Sequence, residues 1–137
     1  MQQLEQWLAQ LDQLPLECDG LTRCISTLMQ RDGIEHRVLV GSLAITGVGS
    51  IPHHWWIAMP DGTLCDFRAR MWLGDDASVP HGLFVPEAHH AYVVQDELQL
   101  DQVRLRPTIF TALTCEPMDH FATFSAFSAS SAVGPEL

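Results

Sequence analysis

Lysine is absent from this 137-residue chain, and all seven of its basic residues are arginines. Seventeen acidic residues outnumber them, which gives a formal net charge of −10. Nucleic-acid binding depends on clustered lysine and arginine side chains that neutralise phosphates. The charge therefore argues against DNA or RNA as a partner.

Long apolar runs are missing as well. No stretch reaches the roughly 20 apolar residues that a membrane-spanning helix needs, and the first residues have neither the basic start nor the apolar run of a secretory signal. We therefore expect a cytoplasmic protein that does not bind membranes. With 47% apolar residues, the composition is that of one globular domain. We place that domain at residues 1–124 and expect a flexible, Ser/Ala-rich tail at 125–137.

The sequence also lacks CxxC pairs. Its cysteines lie at positions 18, 24, 65 and 115, without the spacing of a zinc site. Disulfides are rare in the cytosol. We therefore expect free thiols, at least one of them chemically active and the others packed as small apolar side chains. No metal or organic cofactor is implied.

Helical periodicity dominates the N-terminal part of the chain. Apolar residues three and four apart predict a helix over the first dozen residues, which ends at Leu14-Pro15-Leu16 because proline cannot continue it. A second helix is predicted from about Asp19 to Arg31, with an apolar stripe and with Gly33 as its C-terminal stop.

Strand-like segments follow the two helices. Apolar runs at 38–40 and 43–45 precede a loop at 47–52, and a hairpin joins 53–59 to 63–69. Weaker strand patterns cover 91–95 and 102–106. This order predicts an α+β fold with the N-terminal helices packed on an antiparallel sheet.

Cys18 stands at the predicted start of the second helix. Helix N-termini favour thiolates, because the dipole and the free N–H groups stabilise negative charge. Cys18 also lies on the apolar stripe, so its side chain should face the sheet. Cys24 is the rival nucleophile, but it lies in the middle of the stripe, where burial favours the thiol; we interpret Cys24, like Cys65 and Cys115, as a packing residue.

The hairpin can supply the rest of a Cys/His site. Its Pro-Asp-Gly turn is typical of a three-residue loop in which Gly62 takes a positive φ. In that register Trp56 faces Asp66, and His54 shares a face with Asp66 as a diagonal neighbour, roughly 7–8 Å away at the backbone. The carboxylate would then orient the imidazole; a two-residue loop would put the two residues on opposite faces.

The other histidines are alternatives. His53 competes with His54 but points to the opposite face in this register. His81, His89 and His90 lie in loop-like segments without an obvious partner, and a metal site built from them has no recognisable spacing.

The segment from Cys18 to Gly41 resembles the core of the transglutaminase-like cysteine proteins. In that family a cysteine opens a helix that closes on Leu-Leu-Arg-x-x-Gly-Ile-x-x-Arg, and a strand ending in glycine follows. Gly33-Ile34 and Arg37 hold the corresponding places here. The spacing fits when it is counted from Cys18 and fails when it is counted from Cys24.

The segment from His54 to Asp66 is similar to the family's His-x-Trp, Asp-Gly and Asp motifs, with Trp56 in the tryptophan position. The leader-peptide proteases of lasso-peptide biosynthesis are similar in the same segments. The resemblance covers roughly residues 16 to 70 and implies a papain-like core with the triad Cys18, His54 and Asp66.

Other roles are assigned around this triad. Trp56 and Arg68 are candidate substrate-binding residues, Arg68 through a substrate carboxylate. The Cys18 backbone N–H and the Gln13 side chain are candidate oxyanion donors.

Three functions are compatible with the sequence. The first is acyl transfer through a thioester, with a peptide or protein amide as substrate; hydrolysis, deamidation and amine transfer all share that intermediate. The second is an inactive transglutaminase-like fold that binds a protein partner through Trp55, Trp56 and Trp72. The third is an acyltransferase for a small amine. Such an enzyme needs a further domain to bind an acyl-coenzyme, and this chain has little room for one. The sequence does not indicate the oligomeric state.

Overall fold

The computed structural model describes residues 2–127. Its elements are α1 (Gln2–Asp12), α2 (Cys18–Arg31), β1 (Arg37–Ile45), β2 (Gly49–Ala58), β3 (Leu64–Asp66), α3 (Ala69–Leu73), β4 (Gly82–Phe84), β5 (His90–Leu98), α4 (Leu100–Val103), α5 (Pro107–Thr114) and a 3₁₀ turn (Met118–His120). The fold is α+β, as expected from the sequence. No helix in this part of the chain has the length and apolarity to cross a membrane.

The strands form one five-stranded antiparallel sheet in the order β4-β3-β2-β1-β5. The β2–β3 hairpin has the predicted register, because Ile57 pairs with Cys65 and the Met59 N–H donates to the Thr63 carbonyl. Gly62 has a φ of +91°, a conformation that glycine adopts without strain. The three-residue loop is therefore confirmed.

The main core lies between the sheet and the first two helices. The buried residues of this core on α1 and α2 are Trp7, Leu8, Leu11, Leu21, Cys24, Ile25, Leu28 and Met29. Ile57 and Cys65 contribute from the sheet. The neighbouring strand residue Trp56 packs instead with Leu39 and Tyr92, since successive strand residues point to opposite faces.

Several predicted boundaries were wrong. The two runs at 38–40 and 43–45 form the single strand β1, and β2 begins at Gly49, inside the predicted loop. The predicted strand to residue 69 stops at Asp66, because Asp66 accepts the N–H groups of the next turn, where α3 begins. The segment 102–106 is not a strand, since α4 occupies its start.

The C-terminal part of the described chain also packs on the core. Phe124 and Phe127 both contact the main cluster, so the packed structure reaches three residues into the predicted tail. Residues 128–137 of that tail lie outside the described residues.

Candidate active site

Cys18 is the first residue of α2. The chain arrives through Leu14-Pro15-Leu16, and Glu17 caps the helix with extended backbone (φ −79°, ψ −177°). The first N–H groups of a helix have no intrahelical partners, and the partial positive charge at this end favours an anion. Cys18 is half-buried. Its thiol is thus partly accessible to solvent and lies at the end of the helix that stabilises a thiolate.

The other cysteines lack this combination. Burial raises the pKa of the Cys24 thiol to about 12 and also raises that of Cys65, which is 2% exposed. These two are packing residues, as predicted. Cys115 is exposed, so its predicted packing role was wrong; it follows α5 in a left-handed conformation, outside the apolar stripe of any helix.

The hairpin brings His54 and Asp66 into direct contact. His54 Nε2 donates to Asp66 Oδ2 at 2.6 Å. Both side chains are buried, with exposed fractions of 0% and 1%. This contact follows from the register of β2 and β3, which was deduced from the turn residues alone.

Asp66 accepts three further hydrogen bonds, and these fix its carboxylate. The hydroxyl of Tyr92 donates to Oδ2 at 2.7 Å. The backbone N–H groups of Arg68 and Ala69 donate to Oδ1 at 3.0 and 3.1 Å. Tyr92 was not predicted as a site residue. It is the single tyrosine of the chain, but nothing in the sequence shows that β5 lies next to β1.

The second ring nitrogen of His54 is available to Cys18. Burial lowers the pKa of His54, but the hydrogen bond to Asp66 and the proximity of Cys18 outweigh burial and raise that pKa from 6.5 to about 9. Nδ1 is buried and has no partner with full hydrogen-bond geometry in residues 2–127. Cys18 is thus close enough to interact with the ring, though not at ideal geometry, which is common for catalytic hydrogen bonds before substrate binds.

Trp56 packs against the histidine. Its ring lies nearly parallel to the His54 ring, with centroids 6.2 Å apart, and it meets Tyr92 edge-on at 4.9 Å. Trp56 is 1% exposed. This position gives Trp56 a role in holding His54 and leaves no surface for the substrate contact that the sequence suggested.

Arg68 is occupied by the loop that leads into α2. Its Nε and both terminal nitrogens donate to Asp12, Phe67 and the carbonyls of Leu14 and Leu16 at 2.6–3.0 Å. These contacts use all five N–H groups that a guanidinium has. Arg68 is 8% exposed, so the contacts leave no donor for a substrate carboxylate, and the residue holds the loop before Cys18.

Gln13 does not line the groove beside Cys18. It is exposed and lines a cavity of about 350 Å³ with Glu116 and His120. The structure gives no contact between Gln13 and the triad.

A groove of about 320 Å³ passes beside the start of α2. Its walls include Leu16 and Glu17, which precede Cys18, and Phe67 and Met71, which follow Asp66. Met71 and the neighbouring Trp72 are 51% and 59% exposed. A larger cavity of about 500 Å³ lies beside α4 and α5. Neither lining includes a triad residue, but the 320 Å³ groove includes Glu17 and Phe67, the chain neighbours of Cys18 and Asp66.

The remaining histidines form separate groups. His53 is exposed. His36 is buried and shares a hydrogen bond with Ser26 at 2.8 Å, a pair that the sequence analysis missed; with exposed fractions of 4% and 0%, it serves packing. Glu87, His89 and His90 come together where the β4–β5 turn meets β5. Within residues 2–127 no such group of potential metal ligands includes a triad residue.

Comparisons with protein-family models, curated proteins and solved structures found no match to this chain.

Proposed function

We propose that this protein is a cysteine-dependent acyl-transfer enzyme with a transglutaminase-like core and a Cys18–His54–Asp66 triad. The observation that carries the proposal is the buried 2.6 Å contact between His54 and Asp66, with the half-buried Cys18 at a helix N-terminus beside the same imidazole. A thiol, an imidazole and a group that orients the imidazole are the three parts that thiol acyl transfer needs.

The proposed reaction begins with a thiolate–imidazolium pair. Cys18 Sγ attacks the carbonyl carbon of an amide, and the carbonyl oxygen becomes an oxyanion near the free N–H groups at the start of α2. His54 Nδ1 then gives its proton to the leaving amine, and the C–N bond breaks. The products of this half are the free amine and a thioester on Cys18.

The second half returns the enzyme to its starting state. Water or an amine attacks the thioester carbon and loses a proton to His54 Nδ1, and the C–S bond breaks to release the acid or a new amide. Asp66 stays ionised and accepts from Nε2 throughout, which keeps the ring oriented. Hydrolysis, deamidation and transamidation differ only in the amide attacked and in the acceptor, so the triad alone does not select among them.

The surroundings of Cys18 favour a peptide or protein substrate. The groove beside α2 is open along the surface, with apolar walls at Leu16, Phe67 and Met71. Its charged lining comprises three acidic residues and two arginines, and both arginines donate to backbone carbonyls. This excess of acidic groups suits a peptide segment without strong negative charge. The proposed substrate is therefore a neutral or basic peptide whose amide reaches Cys18 from this groove.

A second candidate is a protein-binding module that keeps the fold without turnover. The exposed Trp72 beside Met71 favours it, because exposed aromatics are enriched at interfaces. Of the other two tryptophans considered for such a surface, Trp56 is buried and Trp55 is covered by the guanidinium of Arg23, 5.1 Å from the ring centroid. The binding surface would thus be smaller than the sequence suggested.

Thiol labelling tests the catalytic proposal. The protein is treated with iodoacetamide between pH 5 and 9, and alkylation is mapped by peptide mass spectrometry. Cys18 should react faster than the exposed Cys115 at neutral pH, although Cys18 is the less exposed thiol, and His54→Gln should remove this advantage without changing the rate at Cys115. Equal rates at the two cysteines, or no effect of His54→Gln, would contradict the proposal.

Acylation by p-nitrophenyl acetate then separates an enzyme from a binding module. An acyl group should accumulate on Cys18 and be lost on treatment with an amine. Cys18→Ser should abolish this cycle, whereas Cys115→Ser should leave it unchanged. A reactive Cys18 that is never deacylated would favour the binding module.

A further inference from the structure

The turn between β4 and β5 groups three potential metal ligands. One ligand atom from each of Glu87, His89 and His90 lies within 4.8 Å of the other two. The His90 N–H donates to the Glu87 carbonyl at 2.9 Å, which closes the turn and keeps the side chains on one side. Two imidazole nitrogens and a carboxylate oxygen are ligands that zinc and neighbouring transition metals take.

The protonation of both rings is fixed by a single backbone group. Nε2 of His89 and Nε2 of His90 lie 3.0 and 3.2 Å from the carbonyl oxygen of Ser78. A carbonyl oxygen only accepts, so each ring carries its hydrogen on Nε2 and has its lone pair on Nδ1. Metal-binding histidines are oriented in this way, with the remote N–H donated to a backbone carbonyl or a carboxylate.

Both Nδ1 atoms lie near Glu87, that of His89 beside the carboxylate and that of His90 beside the backbone N–H. His89 Nδ1 is 3.9 Å from Glu87 Oε2, too far for a hydrogen bond but close to the separation of two ligands on one ion, with bonds of about 2.0–2.2 Å each. His90 Nδ1 accepts the Glu87 backbone N–H at 3.1 Å. Metal binding would replace that one long hydrogen bond and leave both bonds to Ser78 in place.

We propose that Glu87, His89 and His90 bind one divalent transition-metal ion of the zinc type, through the carboxylate and the two Nδ1 atoms, with water completing the coordination. Both histidine rings donate to the carbonyl of Ser78, in the segment before β4. By fixing the rings, the ion would hold the β4–β5 turn against that segment. It would thereby stabilise the end of the sheet next to the triad: the His90 ring contacts Phe84, and Phe84 contacts Tyr92, with centroids 5.5 and 6.0 Å apart.

Zinc titration of the full chain tests this site. Equilibrium dialysis or calorimetry with Zn²⁺ alone should give one ion per chain, and bound zinc should raise Tm. His89→Ala and Glu87→Gln should each weaken binding by at least about tenfold. His120→Ala is the matched control, because His120 also contacts a glutamate, Glu116, at 2.7 Å on the surface but belongs to no such ligand cluster within residues 2–127.

Cobalt separates this site from the cysteines. Co²⁺ bound as proposed should show weak ligand-field bands without the intense charge-transfer absorption of a cobalt–thiolate bond. Three results would overturn the proposal: no zinc retained at micromolar concentration, affinity unchanged in His89→Ala, or a thiolate band that disappears in Cys115→Ser or Cys18→Ser.

Discussion

At the scale of single residues, Asp66 has the most influence on the candidate site. It receives hydrogen bonds from the imidazole, a phenol and two backbone N–H groups. A carboxylate held this way cannot rotate away from His54, so ring orientation and charge are both set by one side chain. Asp66 therefore fixes the orientation of the His54 ring and also stabilises its positive charge.

Asp66→Asn should therefore lower the pKa of His54. Asp66 and Cys18 together raise this pKa to about 9 against the effect of burial; without the negative charge of Asp66, burial is opposed by Cys18 alone, and the pKa should fall well below 9. NMR titration of the histidine ring protons measures the change, and Cys18 alkylation should slow in parallel.

Tyr92→Phe is the matched control for that substitution. It removes one hydrogen bond from Asp66 Oδ2 but keeps the carboxylate charge. The pKa of His54 should thus stay well above 6.5. An Asp66→Asn variant with the wild-type His54 titration would show that the ring is charged for another reason.

At the scale of elements, the connection between α1 and α2 is held from the sheet side by Arg68. This buried side chain donates to the carbonyls of Asp12, Leu14 and Leu16, which lie at the end of α1 or beyond it. The position of Cys18 therefore depends on a residue 50 positions later in the chain.

Arg68→Met should destabilise the fold by about 3–5 kcal/mol, because it removes the five hydrogen bonds that the buried guanidinium donates to Asp12, Leu14, Leu16 and Phe67. Urea unfolding gives the free energy. Arg37→Gln removes another arginine–carboxylate pair, with Glu97, but that pair is on the surface, so its loss should leave unfolding nearly unchanged. Similar losses in the two variants would argue against the structural role of Arg68.

Gly41 determines the pairing of β1 with β5. A Cβ at this position would lie 1.8 Å from the Val93 carbonyl oxygen, a distance that the paired strands cannot keep. Gly41→Ala should therefore disrupt the strand pair and lower Tm by several degrees, roughly 2–8 °C for each kcal/mol lost in a domain of intermediate size. Gly20→Ala is the control: its Cβ would make ordinary 3.6 Å contacts with Leu16 in a helix, and stability should be kept or increased.

The sequence predicted the elements that depend on local patterns. The helices α1 and α2 and the β2–β3 hairpin are local: their periodicity, the proline after α1 and the Pro-Asp-Gly turn determine them, and the contact between His54 and Asp66 follows from the turn. Tyr92 and the burial of Arg68 depend instead on which distant segments meet. No local pattern contains that information, so the assignment of Arg68 to substrate binding could not be tested before the fold was known.

At the scale of the whole molecule, two buried histidines with opposite pKa shifts contribute to the way stability depends on pH. The pKa of His54 is raised to about 9, whereas burial lowers that of His36. Between pH 6.5 and 9 the folded protein holds the His54 proton more tightly than the unfolded chain does, so stability falls as pH rises through this window. Below pH 6.5 the unfolded chain protonates His36 more readily, so stability falls as pH decreases.

We therefore expect maximal stability near pH 6.5, which urea unfolding at several pH values would measure. His54→Gln should flatten the decline between pH 6.5 and 9 while leaving the acid side unchanged. Cys24 cannot produce the same decline, because its pKa, raised from 9.0 to about 12, removes stability only above pH 9. A decline below pH 9 that persists in His54→Gln would show that His54 is not protonated in the folded state, and the thiolate–imidazolium pair that the proposed reaction begins from would be lost with it.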